Sequence, residues 1–393
     1  MSGTGFDMDR LVPEKERLTL GFVALLDSAP LVVAREQGFF TEQGLDVRLQ
    51  RENSWASVRD KVAYGLLDGA QMIAPMPLAS SLGLGAPPVA METALVMSRN
   101  GNAITLAAGL ADAAGIEPGE EGADPLLSGR LLRAHLTGLE RPLKLATVYP
   151  YSCHHYQLRY WLNVSGISPR QVEFIGAPPK QMVDLLASGQ IDGCCVGEPW
   201  NSLAEIGGVG RIVATGHQVW SNMMEKVFGV TRQWADEHPQ TYRAVLMALL
   251  KACRWLESHQ HSESLYQCLS LPPYLDLEIE PLHDRGLFAP QLEQRFYGAD
   301  TNFPWRSQGA WLLGQMREAG QWQGPVDNPV LDEVFNTDLY REVAEAMGLN
   351  APVADYRIEG RDGAQSELSG TRGVLVPNTN DFIDGICFGL RHF

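Results

Sequence analysis

These 393 residues contain no run of about 18 apolar side chains, so no segment reads as a membrane span. The six cysteines (Cys153, Cys194, Cys195, Cys253, Cys268, Cys387) form no C-x-x-C and no Cys/His spacing of the kind that holds zinc. Each therefore reads as a small buried hydrophobe, and no metal is expected. Positive charge is scarce: 31 Lys and Arg stand against 47 Asp and Glu, a formal net charge of −16. Phosphate backbones are bound by a surplus of Lys and Arg, which excludes direct nucleic-acid binding. A small anion in a local pocket stays open, because nearby groups set the field inside a cleft. No nucleophile elbow, P-loop, Rossmann glycine pattern or kinase signature is present. The residues thus point to a non-enzyme with no cofactor. The start, MSGTGFDMDRLVPEKERLTLGF, lacks the basic segment and the apolar run of roughly 7–15 residues of a secretory signal. The expected location is the cytoplasm.

What is present is an α/β alternation. LTLGFVA (18–24) reads as a strand, followed by DSAP, where Asp27-Ser28 is a candidate helix N-cap and Pro30 suits a first turn. LDVRLQRE (45–52) alternates as a strand does. SWASVRDKVAYG then has a cap-like Ser54 and helical apolar spacing, and AQMIA is a short buried strand. After a Gly-, Ala- and Glu-rich insertion over 107–142, with a helix at about 128–138, the pattern restarts at LKLATVY (143–149). A helix through HHYQLRYWLNVSG, the strand QVEFIGA, the helix PPKQMVDLLASG and the buried strand DGCCVG follow.

The second half echoes the first. GLLDGAQMIAP (65–75) and GQIDGCCVGEP (189–199) share Gly, Asp-Gly and Pro at an offset of 124 residues, which holds without a gap from Asp60 to Pro75. Asp-Gly is expected to make a tight turn with Gly at positive φ. Two such units imply two α/β lobes with a cleft between them. The remainder, 231–393, is mainly helical, with a long amphipathic region broken at Pro239. The division is then a polar extension over 1–17, a first lobe from 18–105 plus 231–393, and a second lobe over 106–230.

Several residues are candidates for chemistry. Cys194 and Cys195 are strand neighbours and point to opposite faces, so they neither pair nor share a metal, and packing is their expected role. His154 and His155 diverge by about 100° at a helix start; one can reach the cleft while the other is solvated. Helix N-termini at a crevice are where α/β proteins receive ligands. NGNAIT (100–105) reads as a turn or a hinge. Trp55 is either core or a ligand platform. Lys226, in MMEKVFGV, is either a solvated lysine or an anion's partner.

Together, FVALLDSAPLVVAREQGFFTEQGLDV, SWASVRDKVAYGLLDGAQMIAPMPLA, NGNAITL, LRYWL, PPKQMVDLLASGQIDGCCVGEPWN, EKVFGV and NFPWRSQGAWLLGQM resemble the nitrate- and bicarbonate-binding proteins of the NrtA/CmpA family over most of residues 18–320. The resemblance implies a type II periplasmic-binding-protein-like fold with two α/β lobes. Carried over position by position, it places ligand contacts at Trp55 (S-W-A), Asn102 (N-G-x-A-I-T, where relatives often have the longer Gln), His154 (ahead of L-R-Y-W-L), Pro179 (before Q-M-V, with Lys180 between), Val196 and Gly197 (V-G-E-P-W), and Lys226 (E-K-x-x-G-V). A lysine at that position favours a bare anion over bicarbonate held through a metal. The polar N-terminus makes the chain most similar to the cytoplasmic nitrate/nitrite sensors of the NasS type. That similarity implies a NasT-like RNA-binding antiterminator as partner, held when the sensor is ligand-free and released by nitrate or nitrite. The binding component of a nitrate ABC transporter is the alternative. A thiamine-pyrimidine-synthase-like enzyme of the same fold is a further one, though GCCVG falls short of the longer C-C-C-F-C signature of those enzymes.

Overall fold

The computed structural model describes residues 11–117, 124–138, 141–259, 263–277, 282, 292–298, 300–360 and 367–389. Ten strands build its two large sheets: β1 (Arg17–Val23), β2 (Asp46–Glu52), β3 (Gly69–Ile73), β4 (Met91–Arg99), β5 (Asn102–Ala107), β6 (Leu143–Thr147), β7 (Val172–Gly176), β8 (Gly193–Gly197), β9 (Gly210–Thr215) and β10 (Met224–Thr231). The orders are β2-β1-β3-β10-β4 and β7-β6-β8-β5-β9. In each sheet the first three strands are parallel, and one antiparallel strand is inserted fourth. That inserted strand comes from the far end of the chain's path: β10 returns to the first sheet after the second is complete, and β5 enters the second directly from the first. The crossings therefore lie at Asn100–Gly101 and between β9 and β10. This shifts the expected division: β5 is part of the second sheet and β10 of the first, because each completes its ladder only there.

The echo seen in sequence is an echo in structure, with different turn chemistry. Gly65 and Gly189, at φ of 70° and 68°, end the helices Trp55–Ala63 and Met182–Ala187. This is the left-handed closure that glycine allows without penalty. The glycines of the Asp-Gly pairs are not turn residues. Gly69 and Gly193 begin strands where a side chain does not fit: a Cβ at Gly69 would lie 2.7 Å from the Phe228 ring, and one at Gly193 would lie 2.9 Å from the Thr105 carbonyl oxygen. The aspartates clamp the neighbouring strand. Asp68 N–H donates to Thr19 O while its Oδ2 accepts Thr19 N–H, both at 2.9 Å. Asp192 does the same with Lys144, at 2.8 Å and 2.8 Å.

Helices cover both sheets. Pro239–His259 buries Tyr242, Val245, Leu246, Leu249, Ala252, Cys253 and Leu256 against the first lobe, a spacing that makes one apolar face. Beyond these helices the chain returns across the crossings. Asp381 and Ser221 exchange hydrogen bonds, Phe382 stacks on Trp220 at 4.5 Å, and Asp384 accepts from Tyr160 OH. Beneath this strap, Arg99 is fully buried and spends its guanidinium on the carbonyls of Thr301, Asn222, Asp300 and Phe303 and on Gln308. Asn100, at φ 57°, donates to Ser221 O and Glu293 O, tying the two crossings together. Asparagine is among the few residues that take this conformation readily. Of the six cysteines, four are buried as expected; Cys268 is half-buried and Cys387 exposed. No helix among the described residues is long and apolar enough to cross a membrane.

Candidate functional site

Equivalent strand ends in the two lobes put the candidate residues face to face. Lys226 on β10 is in register with Ile73, the last residue of β3, and Asn102 on β5 with Gly197, the last residue of β8. Ile73 and Gly197 are themselves related by the 124-residue offset. Lys226 and Asn102 thus occupy matching places at the cleft edges of the two sheets. Trp55 and Pro179 match in the same way, each opening a helical segment after the edge strand, β2 or β7, of its sheet. Ser54 Oγ accepts Ser57 N–H and so starts the helix with Trp55 as its first residue; Ser152 Oγ accepts His155 N–H and fixes His154 at the second position of Cys153–Val164.

Lys226, Asn102, His154 and Trp55 are all fully buried. The Lys226 ammonium lies 5.4 Å from the Trp55 ring centroid, within cation–π range. Its partners were not foreseen: Asp27 Oδ2 at 2.7 Å and Glu225 Oε1 at 2.6 Å. Burial opposes the lysine's charge, yet Asp27 and Glu225 together hold its pKa above the ordinary value. Burial raises both carboxyls, with Lys226 pulling against it. Asp27 is therefore no helix cap. The helix Ala29–Glu36 starts without a side-chain cap, and the Asp27 carboxylate accepts from Gln71 and Lys226 instead, since a buried carboxylate gains more from a cation than from a neutral backbone N–H. Lys226 is likewise not solvated.

The resemblance makes Asn102 a ligand contact, for which its amide N–H groups would be the donors. Both ends of its donor capacity are spent, on Glu225 Oε2 at 2.6 Å and Gln157 Oε1 at 3.0 Å, and its carbonyl oxygen is the atom without a partner. The amide orientation follows from Glu225, which accepts and cannot donate when ionised. The free donor in this place belongs to Gln157, whose buried Nε2 has no partner among the described residues. Trp55 Nε1 and both ring nitrogens of His154 are also buried without partners; His154 Nε2 is 3.6 Å from Glu225 Oε1. Burial, then Lys226, push the His154 pKa well below its usual value, so the ring is neutral. His155 is not solvated. It packs edge-on against Phe174 at 4.8 Å, and burial with Arg159 nearby pushes its pKa down to about 4.

Gly197 closes the site from the second lobe. A Cβ there would lie 3.4 Å from both Asp27 Oδ2 and Asn102 Oδ1, so the β8 backbone passes within contact of the cluster. Leu26 N–H donates to Glu198 O across the lobes at 2.9 Å. Val196 is buried beside Gly197, its carbonyl accepting from Asn201. Pro179 is buried, and none of the hydrogen bonds described above reaches it. Cys194 and Cys195 are buried thiols; burial pushes Cys194 up to about 12 and Cys195 well above its usual value, which leaves them unreactive. Among the described residues no group of three or more His, Cys, Asp or Glu is placed to hold a metal.

The residues that sequence reasoning missed had faint signals. Glu225 immediately precedes Lys226, and Gln157 lies one turn past His154 on the same helix face. Asp27 had an equally good local explanation as a cap. Only its distance to Lys226 corrects that.

Two α/β lobes, each with a borrowed antiparallel strand, and a polar cluster closed between them define a type II periplasmic-binding-protein-like fold. The chain belongs to the NMT1-like family, whose model matches residues 12–270. It is 39% identical over 358 residues to the nitrate import ATP-binding protein NrtC of Synechocystis, covering 85% of this chain and 51% of that protein. The chain thus spans about half the length of that relative. It is 30% identical over 401 residues to the nitrate/nitrite binding protein NrtA of Synechococcus elongatus, covering 96% of this chain and 87% of that protein. The crystal structure of the periplasmic nitrate-binding protein NrtA from Synechocystis superposes with a TM-score of 0.82 at 27% identity, covering 97% of each chain. Within the family the chain is NrtA-like.

Proposed function

We propose that this chain binds nitrate or nitrite between its lobes and serves as a cytoplasmic sensor that holds a NasT-like RNA-binding antiterminator while empty and releases it when filled. The observation that carries the binding part is the set of buried, unpartnered donors around a buried lysine: Trp55 Nε1, the His154 ring and Gln157 Nε2 beside Lys226. Buried donors left unpaired cost roughly 1–3 kcal/mol each. A small planar anion with only acceptor oxygens removes that cost, with Lys226 adding a charge-assisted bond. Gly197 lets the backbone come close, and the Trp55 ring supplies a flat face. Likeness to the nitrate/nitrite binding protein NrtA and the nitrate import protein NrtC supports nitrate as the anion.

For the sensor part, the ligand acts through its differential affinity for two states of the protein, the partner preferring the one that the anion disfavours. The six free thiols suit a reducing compartment. A second reading is supported by the NrtC relative, an import ATP-binding protein in which the matching region is about half the chain: this chain would then be the binding component of a nitrate transporter. Titration of nitrate, nitrite and bicarbonate into the purified protein by calorimetry tests the site. Titration of nitrate into the complex co-purified with an antiterminator tests the sensor. A complex indifferent to both nitrogen anions, or co-purification with a permease in its place, favours the transport reading.

A further inference from the structure

The cluster has too many carboxylates for a simple anion site. Asp27, Glu225 and Lys226 are each no more than 3% exposed, and with all three ionised their sum is one negative charge. A monoanion arriving beside Lys226 would raise this to two, in a space where charge is poorly screened.

We propose that the anion enters this site together with one proton from solvent, taken up by the pair formed by Glu225 and His154. The inference rests on the reading of the cleft as an anion site. Geometry selects the pair. Asp27 and Glu225 each receive Lys226 on one oxygen and a side-chain amide, of Gln71 or Asn102, on the other, and what sets Glu225 apart is the neighbouring imidazole. Glu225 Oε1 faces His154 Nε2 at 3.6 Å, and neither ring nitrogen of His154 makes a hydrogen bond among the described residues. A proton on either group adds one donor to the N–H that the neutral imidazole already carries, and the added positive charge cancels the charge of the anion.

The other titratable groups facing Glu225 do not compete. Lys226 stays protonated because Asp27 and Glu225 outweigh its burial. Cys153, which donates toward the carbonyls of Met224 and Glu225 from the start of the His154 helix, and Cys195 on β8 are held as neutral thiols by burial and by Glu225 itself. Asp27 repels the Glu225 carboxylate and so favours a proton within the cluster. By linkage, whatever the anion does to the proton affinity of the pair, the proton does to anion affinity. Protonation acts here as a specificity device: an acceptor-only anion is bound with a proton, whereas one that carries its own hydroxyl proton can donate to Glu225 directly and needs none.

The test is calorimetric titration of nitrate into the native protein at pH 7.5 in phosphate and in Tris, whose ionisation enthalpies differ. Uptake of about one proton per anion is expected, with the dissociation constant rising about tenfold per pH unit above neutrality. Glu225→Gln keeps the acceptor for Asn102 and removes the charge; its nitrate affinity should no longer vary between pH 6 and 9, with proton uptake near zero. His154→Gln provides a second variant, with uptake reduced and a donor retained. Nitrate binding to the native protein with no proton uptake and a pH-independent dissociation constant overturns this inference and leaves the anion site standing. No heat from nitrate or nitrite at any pH overturns both.

Discussion

Replacing Lys226 with methionine tests whether the buried cluster is organised as described. The substitution keeps most of the side-chain volume and removes the ammonium. Asp27 and Glu225, which receive it at 2.7 Å and 2.6 Å, are left as two buried carboxylates with no cation. Removing one partner of a buried pair costs about 3–5 kcal/mol because the other charge stays uncompensated. The domain's total stability is on the order of 5–15 kcal/mol, so the variant should fold at acid pH and be strongly weakened at alkaline pH. The sign follows from protonation. Burial already raises both carboxyls in the native protein against the pull of Lys226; without the lysine they rise further. A carboxyl whose folded-state pKa exceeds its unfolded value contributes stability that is complete below the unfolded value, near 4, and is lost as pH climbs through the folded value. Urea unfolding followed by tryptophan fluorescence at pH 5 and pH 8.5 measures this. The loss relative to the native chain should be small at pH 5 and approach about 3–5 kcal/mol at pH 8.5. The triple variant Asp27→Asn, Glu225→Gln, Lys226→Met should recover most of it and still bind no nitrate. An equal loss at both pH values, or a loss under about 1 kcal/mol at pH 8.5, would refute the argument, since surface-like ion pairs behave that way.

Glu198 should show the same logic alone. Burial pushes its carboxyl up to about 7, against hydrogen bonds from Ser202 and Asn201. Stability is therefore lost as pH rises through 7, and Glu198→Gln should gain about 3 kcal/mol over the native chain at pH 8.5 and nothing at pH 4, by urea unfolding. At Gly197 a Cβ would lie 3.4 Å from two oxygens. Gly197→Ala should be tolerated, whereas Gly197→Val should prop the lobes apart, weaken nitrate binding at least about tenfold in calorimetry and enlarge the particle in small-angle scattering. Trp55→Phe keeps the aromatic face but loses the unpartnered indole N–H. Nitrate affinity should fall about tenfold, the worth of one hydrogen bond to a charged group, with thermal stability unchanged; unaltered affinity would remove Trp55 from the site.

Much of the site was legible one residue at a time. Ser54 and Ser152 cap the helices that present Trp55 and His154, and capping is a matter of a few adjacent residues. The paired GLLDG and GQIDG segments announced two like lobes. The turn chemistry was misread there, because Asp-Gly has a local meaning in hairpins and a different one where a neighbouring strand is close: Asp68 and Asp192 clamp Thr19 and Lys144, which nothing within ten residues foretells. The burial of His155, read as the solvated one of the pair, depends on Phe174 of β7, a neighbour from a separate element.

The sequence by itself determined the repeat, most of the alternation of strands and helices, and the residue types gathered at the cleft, since periodicity, caps and spacing act over short stretches of chain; it did not show β4, and NGNAIT, read as a turn or hinge, is one only at Asn100–Gly101, with β5 beginning at Asn102. Tertiary structure alone decided how those residues are wired. It turned Asp27 from a helix cap into the counter-ion of Lys226, spent the amide of Asn102 on Glu225, and left Gln157 as the free donor. Charge pairing in a buried place depends on distance and dielectric, and two strands exchanged between lobes bring together groups that lie far apart along the chain.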